Sequence, residues 1–359
     1  MRKSLSLLLA LLLCASFYAK PRIAEHVILY PSHDQHGDTV TLSGKLTFPL
    51  DKEPKGIILL PHFTISSADE SPSVRPTGEA DYFKDDYILV MPDYIGYGVT
   101  IDRIHPYLHG SLTAQNSVDM LFHTLPLIDS IQPSVPTDSI YIVGFSQGGA
   151  TALWILKLLE EKYSHAVHVK KCFAGSGPYD VATTYDEAVR SNRINMPALI
   201  PMMVTGTSEA YDLNLQNEYF FTPVMQRNYL RHIAGKRKGI TSLCFLMPSH
   251  RLSYWMTSEG MDRSQPQTKR FYEGLLRSSL VHYSIVGETD TICPDWRPEA
   301  PLFVFHSTND DIVTVHCSEH LRRCFADAEN IEWDFGKYGS HLSSSKVFFQ
   351  KVCTLLSEE

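Results

Sequence analysis

The sequence predicts an α/β protein with a mostly parallel central sheet that is flanked by helices. Up to about Asp180, short apolar runs alternate with amphipathic segments, as in chains built from βαβ units. Proline ends two of these runs, at Pro61 and Pro92, which is typical of buried strands that stop at a sheet edge. Two more apolar runs and an amphipathic helix near the C-terminus complete the predicted sheet.

The strands are predicted from two kinds of pattern. Residues 39–47 alternate apolar and polar side chains, which indicates a half-buried strand. Residues 56–61 and 87–92 are continuous apolar runs, which indicate strands buried on both faces. The predicted strands are 27–30, 39–47, 56–61, 87–92, 140–144, 301–306 and 331–335.

Three helices are predicted around this sheet. Residues 111–125 have helical spacing, and the helix is predicted to end at Pro126 because the residue before a proline avoids the helical conformation. Residues 150–160 form a helix directly after a predicted strand. Residues 344–356 form the last helix, with Val347, Phe348 and Val352 on one face.

The pattern changes between Asp180 and about Asp295, where aromatic and methionine side chains follow helical rather than βαβ spacing. We predict a mostly helical cap over the sheet, inserted before the strand that carries the catalytic acid. The alternative is that these residues form the core of a larger domain. The predicted organisation is a signal peptide (1–19), a first core part (20–180), the cap (181–295) and a second core part (296–359).

The N-terminal residues predict export. Arg2 and Lys3 precede a mostly apolar run, residues 5–14, which is too short to span a bilayer and is typical of a secretory signal peptide. The alternatives are a buried N-terminal helix and a lipoprotein anchored at Cys14. No later stretch is long enough for a transmembrane helix, so we expect a secreted or periplasmic protein without an integral membrane span.

Charge and cysteine content exclude several classes of function. The net charge of −8 over 359 residues provides no basic surface for nucleic acid and no polybasic membrane patch. Six cysteines follow Cys14, and an exported chain can pair them, but the sequence does not choose among the pairings. No cysteine or histidine cluster has the spacing of a metal site, so we predict no metal.

The strongest functional signal is the motif Gly144-Phe145-Ser146-Gln147-Gly148. It fits the pattern G-x-S-x-G and lies between a predicted buried strand and a predicted helix. In this context the serine occupies a sharp strand-to-helix turn, which exposes its hydroxyl above the sheet. Ser146 is therefore the predicted nucleophile.

A serine nucleophile needs a base and a carboxylate, which in this architecture follow it in the order acid, then histidine. Asp310 comes directly after a predicted strand and is the predicted acid, with Asp311 a near competitor and Asp180 a distant one. His341 lies between the last strand and the last helix and is the predicted general base.

An oxyanion hole needs two backbone N–H groups that face the reacting carbonyl. Gln147, directly after the nucleophile, is expected to supply the first. The second is expected from residues 62–64, after the strand 56–61. Phe63 is the predicted donor and Thr64 is the close alternative.

Three segments carry a family resemblance. They are Gly-Phe-Ser-Gln-Gly-Gly at 144–149, Pro-Asp-Tyr-Ile-Gly-Tyr-Gly at 92–98 and His-Pro-Tyr-Leu at 105–108. With them the chain resembles α/β-hydrolase esterases related to bacterial and fungal secretory lipases. The resemblance implies the α/β-hydrolase fold, a serine esterase or lipase activity and no cofactor. Two positions depart from it: His62-Phe63-Thr64 replaces a glycine-rich oxyanion loop, and Ser307 replaces a glycine before the acid.

These predictions combine into a secreted serine hydrolase that cleaves carboxylic esters through an acyl-enzyme on Ser146. The expected partner is a small-molecule, lipid or polysaccharide ester, and no nucleic acid. A serine peptidase or amidase on the same fold is the alternative activity. A non-catalytic binding protein is the third hypothesis, and the apparently complete set of Ser146, Asp310 and His341 argues against it.

Overall fold

The computed structural model describes residues 22–234, 236, 238–247, 249–283 and 291–358. The predicted signal peptide, residues 1–19, and the alternative lipid anchor at Cys14 lie outside the described residues.

The described part of the chain contains one sheet of eight strands. The strand order is β1-β2-β4-β3-β5-β6-β7-β8. The pairs β1–β2 and β2–β4 are antiparallel, and the other neighbouring pairs are parallel. This confirms the predicted mostly parallel sheet. The strands are β1 Ile23–His33, β2 Thr39–Pro49, β3 Ile57–Leu59, β4 Ile88–Pro92, β5 Ser139–Phe145, β6 His168–Gly175, β7 Leu302–Ser307 and β8 Ile331–Gly336.

Seven helices of nine or more residues accompany the sheet in the described residues. They are α1 Gly110–Ile131, α2 Gln147–Lys162, α3 Val181–Ser191, α4 Leu199–Ala210, α5 Pro266–Ser278, α6 His316–Cys324 and α7 His341–Ser357. Shorter helical segments are Asn217–Phe220, Pro223–Met225, Gln226–Leu230, Arg231–Ala234, Ile240–Leu246 and Ser258–Met261, with 3₁₀ turns at Ala68–Glu70, Ala80–Tyr82, Gly98–Thr100 and Leu252–Tyr254.

Two features of the sheet layer differ from the sequence prediction. Helix α1 does not end at Pro126 but continues to Ile131. Proline removes one intrahelical hydrogen bond, but Ile128, two residues later, is fully buried in the core and holds the last turn of α1 against the sheet. Strand β6 is absent from the sequence prediction, because Lys170 and Lys171 interrupt its apolar run.

The core has one cluster on each face of the sheet. In β4, Ile88 and Val90 belong to the cluster under α1 and α2, whereas Leu89 and Met91 belong to the cluster under α7. This alternation follows from the two-residue period of a strand. Because both faces are covered, the open space lies at the carboxyl ends of the parallel strands, where α/β proteins build their sites.

Between β6 and β7, the described residues form helices and turns. A third apolar cluster joins α3, α4 and α5, and Tyr107 from the segment before α1 contributes to it. The division of the chain into core and cap at residues 181 and 295 remains a prediction. Within the described residues, no helix has the length and apolar character needed to cross a membrane.

Candidate active site

Ser146 lies on the turn between the last residue of β5 and the first residue of α2. Its backbone has φ 58° and ψ −124°, a conformation that non-glycine residues rarely adopt. A Cβ atom on Gly144 would lie 2.1 Å from the carbonyl oxygen of Gly148, and one on Gly148 would lie 2.2 Å from that of Pro61. Both glycines of the motif are therefore required by close backbone contacts.

Ser146, His341 and Asp310 form a continuous chain of hydrogen bonds. His341 Nε2 lies 2.8 Å from Ser146 Oγ, and His341 Nδ1 lies 2.6 Å from Asp310 Oδ2. The structure thus brings together three predicted residues that are far apart in sequence. In this geometry Nδ1 carries a proton toward the carboxylate, and Nε2 can accept the serine proton.

The Asp310 carboxylate is buried but stays charged. Its Oδ1 atom accepts hydrogen bonds from the backbone N–H groups of Ile312 at 3.0 Å and Val313 at 2.9 Å. Burial raises the pKa of Asp310, but hydrogen bonds from the His341 ring and the Ile312 backbone N–H lower it more, so the net pKa is below the usual value. The acid is therefore ionised at neutral pH.

His306, which the sequence did not single out, supports the loop of the acid. Its Nδ1 lies 2.6 Å from Ser318 Oγ, and its Nε2 lies 3.0 Å from the carbonyl oxygen of Val313. Burial lowers the pKa of His306 to about 4, so this ring is neutral near pH 7. No sequence pattern marks it, because its role depends on contacts across the loop.

The two competing acids have other partners. Asp311 Oδ1 accepts a hydrogen bond from the backbone N–H of His341 at 3.0 Å rather than from its ring. Asp180 lies beside His282 and His320, with Oδ1 2.9 Å from Nδ1 of the former and Oδ2 2.7 Å from Nδ1 of the latter. Of the three candidate carboxylates, Asp310 is the one that contacts the His341 ring.

Ser307 connects strand β7 to the loop that precedes His341. Its hydroxyl donates to the carbonyl oxygen of Gly339 at 2.6 Å and accepts from the backbone N–H of Tyr338 at 3.2 Å. Gly339 has a φ of 96°, which favours glycine. The Ser307 hydroxyl therefore holds the segment before His341.

Gln147 is placed to donate its backbone N–H to the site. As the first residue of α2 it has no intrahelical acceptor for this group. Its side chain is held by His105, whose Nε2 lies 3.0 Å from Gln147 Nε2 and whose Nδ1 lies 2.7 Å from the carbonyl oxygen of Ile95. Burial lowers the pKa of His105 to about 3, so its Nε2 accepts from the amide.

The predicted second donor, Phe63, is already engaged. Its backbone N–H donates to Glu79 Oε1 at 3.0 Å. The N–H of Thr64 has no acceptor among the residues that the structure describes, and its hydroxyl lies 2.8 Å from the Tyr107 hydroxyl. These contacts favour Thr64, the alternative from the sequence, over Phe63.

A cavity of about 460 Å³ reaches the site indirectly, since Ser146, His341, Gln147 and Thr64 are not among its described lining residues. Most of its exposed surface is apolar, although charged side chains such as Asp102 and Lys236 also line it. Two lining residues, His105 and Tyr107, contact Gln147 and Thr64 respectively. The lining residues in the described part of the chain are Ser66, Tyr97, Asp102, Arg103, Ile104, His105, Tyr107, Met202, Thr205, Asn217, Leu230, Ile233 and Lys236. The cavity volume is in the range of pockets that take small organic ligands.

Solved structures with the same chain path identify the fold. A protein from Legionella pneumophila described as a hydrolase has a TM-score of 0.78 and 18% identity, with 98% of this chain and 93% of that chain covered. The rice cell wall degrading esterase LipA from Xanthomonas oryzae has a TM-score of 0.77 and 19% identity, with 95% and 91% covered. The chain has the α/β-hydrolase fold.

A more distant α/β-hydrolase is also similar. Candida antarctica lipase A in its closed state has a TM-score of 0.63 and 15% identity, with 92% of this chain and 78% of that chain covered. No family model and no curated protein sequence matches the chain. The likeness to these α/β-hydrolases is therefore one of structure, at low sequence identity.

Proposed function

We propose that this chain is an exported serine hydrolase that cleaves carboxylic esters through an acyl-enzyme on Ser146. The observation that carries the proposal is the hydrogen-bonded chain from Ser146 through His341 to Asp310. A serine hydroxyl is a weak nucleophile alone, and an adjacent imidazole oriented by a carboxylate is the arrangement that activates it.

The reaction proceeds in two halves. His341 Nε2 accepts the proton of Ser146 Oγ while Oγ bonds to the ester carbonyl carbon, and the carbonyl oxygen becomes an oxyanion. The bond to the alcohol then breaks, and His341 returns the proton to the leaving oxygen. In the second half, His341 takes a proton from water, whose oxygen attacks the acyl carbon. The bond from that carbon to Ser146 Oγ then breaks, and His341 returns the proton to Oγ, which releases the acid and restores Ser146.

The oxyanion is stabilised by the backbone N–H groups of Gln147 and Thr64. Both N–H groups lack an acceptor among the described residues, so both are free to donate to a substrate oxygen. The N-terminus of α2 adds a favourable electrostatic field for developing negative charge.

The cavity next to His105 and Tyr107 has a mostly apolar surface, which supports an ester with an apolar group on one side of the scissile bond. Two of the similar structures are an esterase and a lipase, which favours ester substrates. No feature of the described site favours the peptidase or amidase alternative.

We also propose that residues 181–295 form a cap, because the helices α3 to α5 carry an apolar cluster of their own.

Export is part of the proposal and rests on two features. The N-terminal segment has the pattern of a signal peptide. A disulfide joins Cys293 to Cys324, and disulfides persist in oxidising compartments outside the cytosol. We do not propose lipid anchorage at Cys14.

The test is hydrolysis of p-nitrophenyl esters, from acetate to palmitate, by the purified protein and its Ser146→Ala variant. We expect turnover by the parent protein and none above background by the variant. Ser130→Ala, which removes an exposed hydroxyl on α1, serves as the matched control. Equal turnover by Ser146→Ala and the parent would refute the assignment. Labelling of Ser146 by a fluorophosphonate without ester turnover would direct the search to amide substrates.

A further inference from the structure

Glu79 is a buried carboxyl group behind the oxyanion loop. It precedes the 3₁₀ turn Ala80–Tyr82, and 1% of its surface is exposed. Its Oε1 atom accepts the backbone N–H of Phe63, and Oε2 has no hydrogen-bond partner in the part of the chain that the structure describes. No ion pair joins it to a basic side chain among the described residues.

Such a group is expensive to bury. Removing a carboxyl from water without a basic partner disfavours its charged form. Burial raises the pKa of Glu79 to about 8, against smaller lowering effects of the Thr77 hydroxyl and the Phe63 N–H. It is therefore neutral near pH 7 and acts as a hydrogen-bond acceptor through Oε1. An apolar side chain would fill the same space at lower cost, so packing alone does not explain a carboxyl here.

The contacts of Glu79 determine how the loop presents its N–H groups. In the peptide unit that joins His62 to Phe63, the carbonyl oxygen accepts from Tyr94 Oη at 3.2 Å, and the N–H donates to Glu79 at 3.0 Å. Both polar groups of this peptide unit are therefore hydrogen-bonded.

In the next peptide unit, which joins Phe63 to Thr64, only the carbonyl oxygen has a hydrogen-bond partner among the described residues. Its carbonyl oxygen lies 2.6 Å from His62 Nδ1, which donates to it. In a trans peptide the carbonyl and the N–H point in opposite directions, so the Thr64 N–H points away from His62. Three of the four polar groups in the two units are occupied, and the Thr64 N–H is the one left for a substrate.

The loop also lies against the nucleophile turn. A Cβ atom on Gly148 would lie 2.2 Å from the carbonyl oxygen of Pro61 and 3.0 Å from the carbonyl carbon of His62. A rotation of these peptide units would therefore change the position of the Thr64 N–H relative to Ser146.

We propose that Glu79 is a positioning residue for the oxyanion hole, which it serves by holding the Phe63 N–H and so directing the Thr64 N–H toward the reacting carbonyl oxygen. The proposal rests on the proposed function. On this proposal, loss of Glu79 should change kcat more than KM, because an oxyanion donor acts mainly on the charge that develops during the reaction.

The experiment compares Glu79→Gln with Glu79→Leu on the best p-nitrophenyl ester. Gln keeps a carbonyl acceptor for the Phe63 N–H, so we expect kcat within about 3-fold of the parent. Leu removes the acceptor, so we expect kcat to fall about 10- to 100-fold while KM stays within about 2-fold. The rate of fluorophosphonate labelling of Ser146 should also fall in the Leu variant, and this measurement does not depend on the choice of ester.

Glu160 provides the matched control. Its carboxylate also accepts backbone N–H groups, from Glu299 and Ala300, but it lies near the far end of α2, about 20 Å along the helix from Ser146. Glu160→Leu should change stability and leave kcat unchanged. If Glu79→Leu does not fold, Tyr94→Phe removes the other hydrogen bond of the same peptide unit and should lower kcat about 3- to 10-fold.

The outcomes separate the two proposals. An active parent protein with unchanged kcat in Glu79→Leu, or with equal losses in the Gln and Leu variants, would overturn the role of Glu79 alone. A parent protein that neither hydrolyses esters nor reacts with the fluorophosphonate would overturn the proposed function and this inference together.

Discussion

The carboxylate of Asp311 accepts a hydrogen bond from the backbone N–H of His341 at 3.0 Å, at the first turn of α7. Its second oxygen accepts from Asn195 Nδ2 at 3.1 Å. Asp310, the preceding residue, instead contacts the His341 ring. Two adjacent carboxylates therefore hold the same histidine, one by its backbone and the other by its imidazole.

This arrangement predicts different effects for the two aspartates. Asp310→Asn should lower kcat about 10³- to 10⁴-fold, because an amide does not stabilise the imidazolium or select the required tautomer. Asp311→Asn retains an oxygen acceptor for the His341 N–H and should stay within about 5-fold of the parent. Steady-state kinetics on one ester, with both variants shown to be folded by circular dichroism, would measure this. Equal losses would contradict the assignment of Asp310.

Asp180 is predicted to act on stability rather than on catalysis. Burial raises the pKa of Asp180, but hydrogen bonds from His282 and His320 lower it more, to about 2. A carboxylate whose pKa is lower in the folded state stabilises the fold at pH values above its unfolded pKa, near 4. This stabilisation is lost as the pH falls toward 2. Asp180→Asn should therefore lower the free energy of unfolding by about 2 kcal/mol at pH 7, with a smaller difference below pH 4.

Urea denaturation of the parent and Asp180→Asn at several pH values would measure this difference. The folded variant should keep its kcat, because Asp180 contacts neither Ser146 nor His341 in the structure. A large loss of kcat in a folded Asp180→Asn protein would return Asp180 to the list of candidate acids.

The disulfide between Cys293 and Cys324 makes a further prediction. Peptide mapping without reduction should recover these two residues linked, with Cys172, Cys244, Cys317 and Cys353 as free thiols. The bond closes a loop over a sequence separation of 31 residues, so replacing both cysteines by serine should cost about 3 to 4 kcal/mol of stability. Cys353→Ser is the control and should have a small effect. A different pairing would contradict the structure.

Gly148 is predicted to tolerate no side chain. A Cβ atom there would overlap the backbone carbonyl of Pro61, which cannot move without shifting the oxyanion loop. Gly148→Ala should lower kcat by at least about 10-fold and destabilise the protein by about 1 to 3 kcal/mol. Gly78→Ala is the matched control, because a Cβ atom at Gly78 meets nothing within 4 Å. Wild-type kinetics in Gly148→Ala would contradict this account of the motif.

The sequence determined those features that depend on neighbouring residues. Strand and helix periodicity predicted the mostly parallel sheet, and G-x-S-x-G between a strand and a helix singled out Ser146 because the turn is local. Asp310 and His341 could be proposed from position, since loops at the carboxyl ends of parallel strands meet at one edge. Their pairing with Ser146 in the structure follows from that topology.

Tertiary structure decided what depends on the direction of side chains and on contacts between distant segments. The sequence put Asp310 ahead of Asp311 by position alone, and the folded loop shows that Asp310 faces the His341 ring while Asp311 faces its backbone N–H. The sequence also favoured Phe63 over Thr64 as the second oxyanion donor. It could not show that Glu79, sixteen residues later, accepts the Phe63 N–H. The disulfide pairing was open for the same reason: residues far apart in sequence become neighbours only when the chain packs.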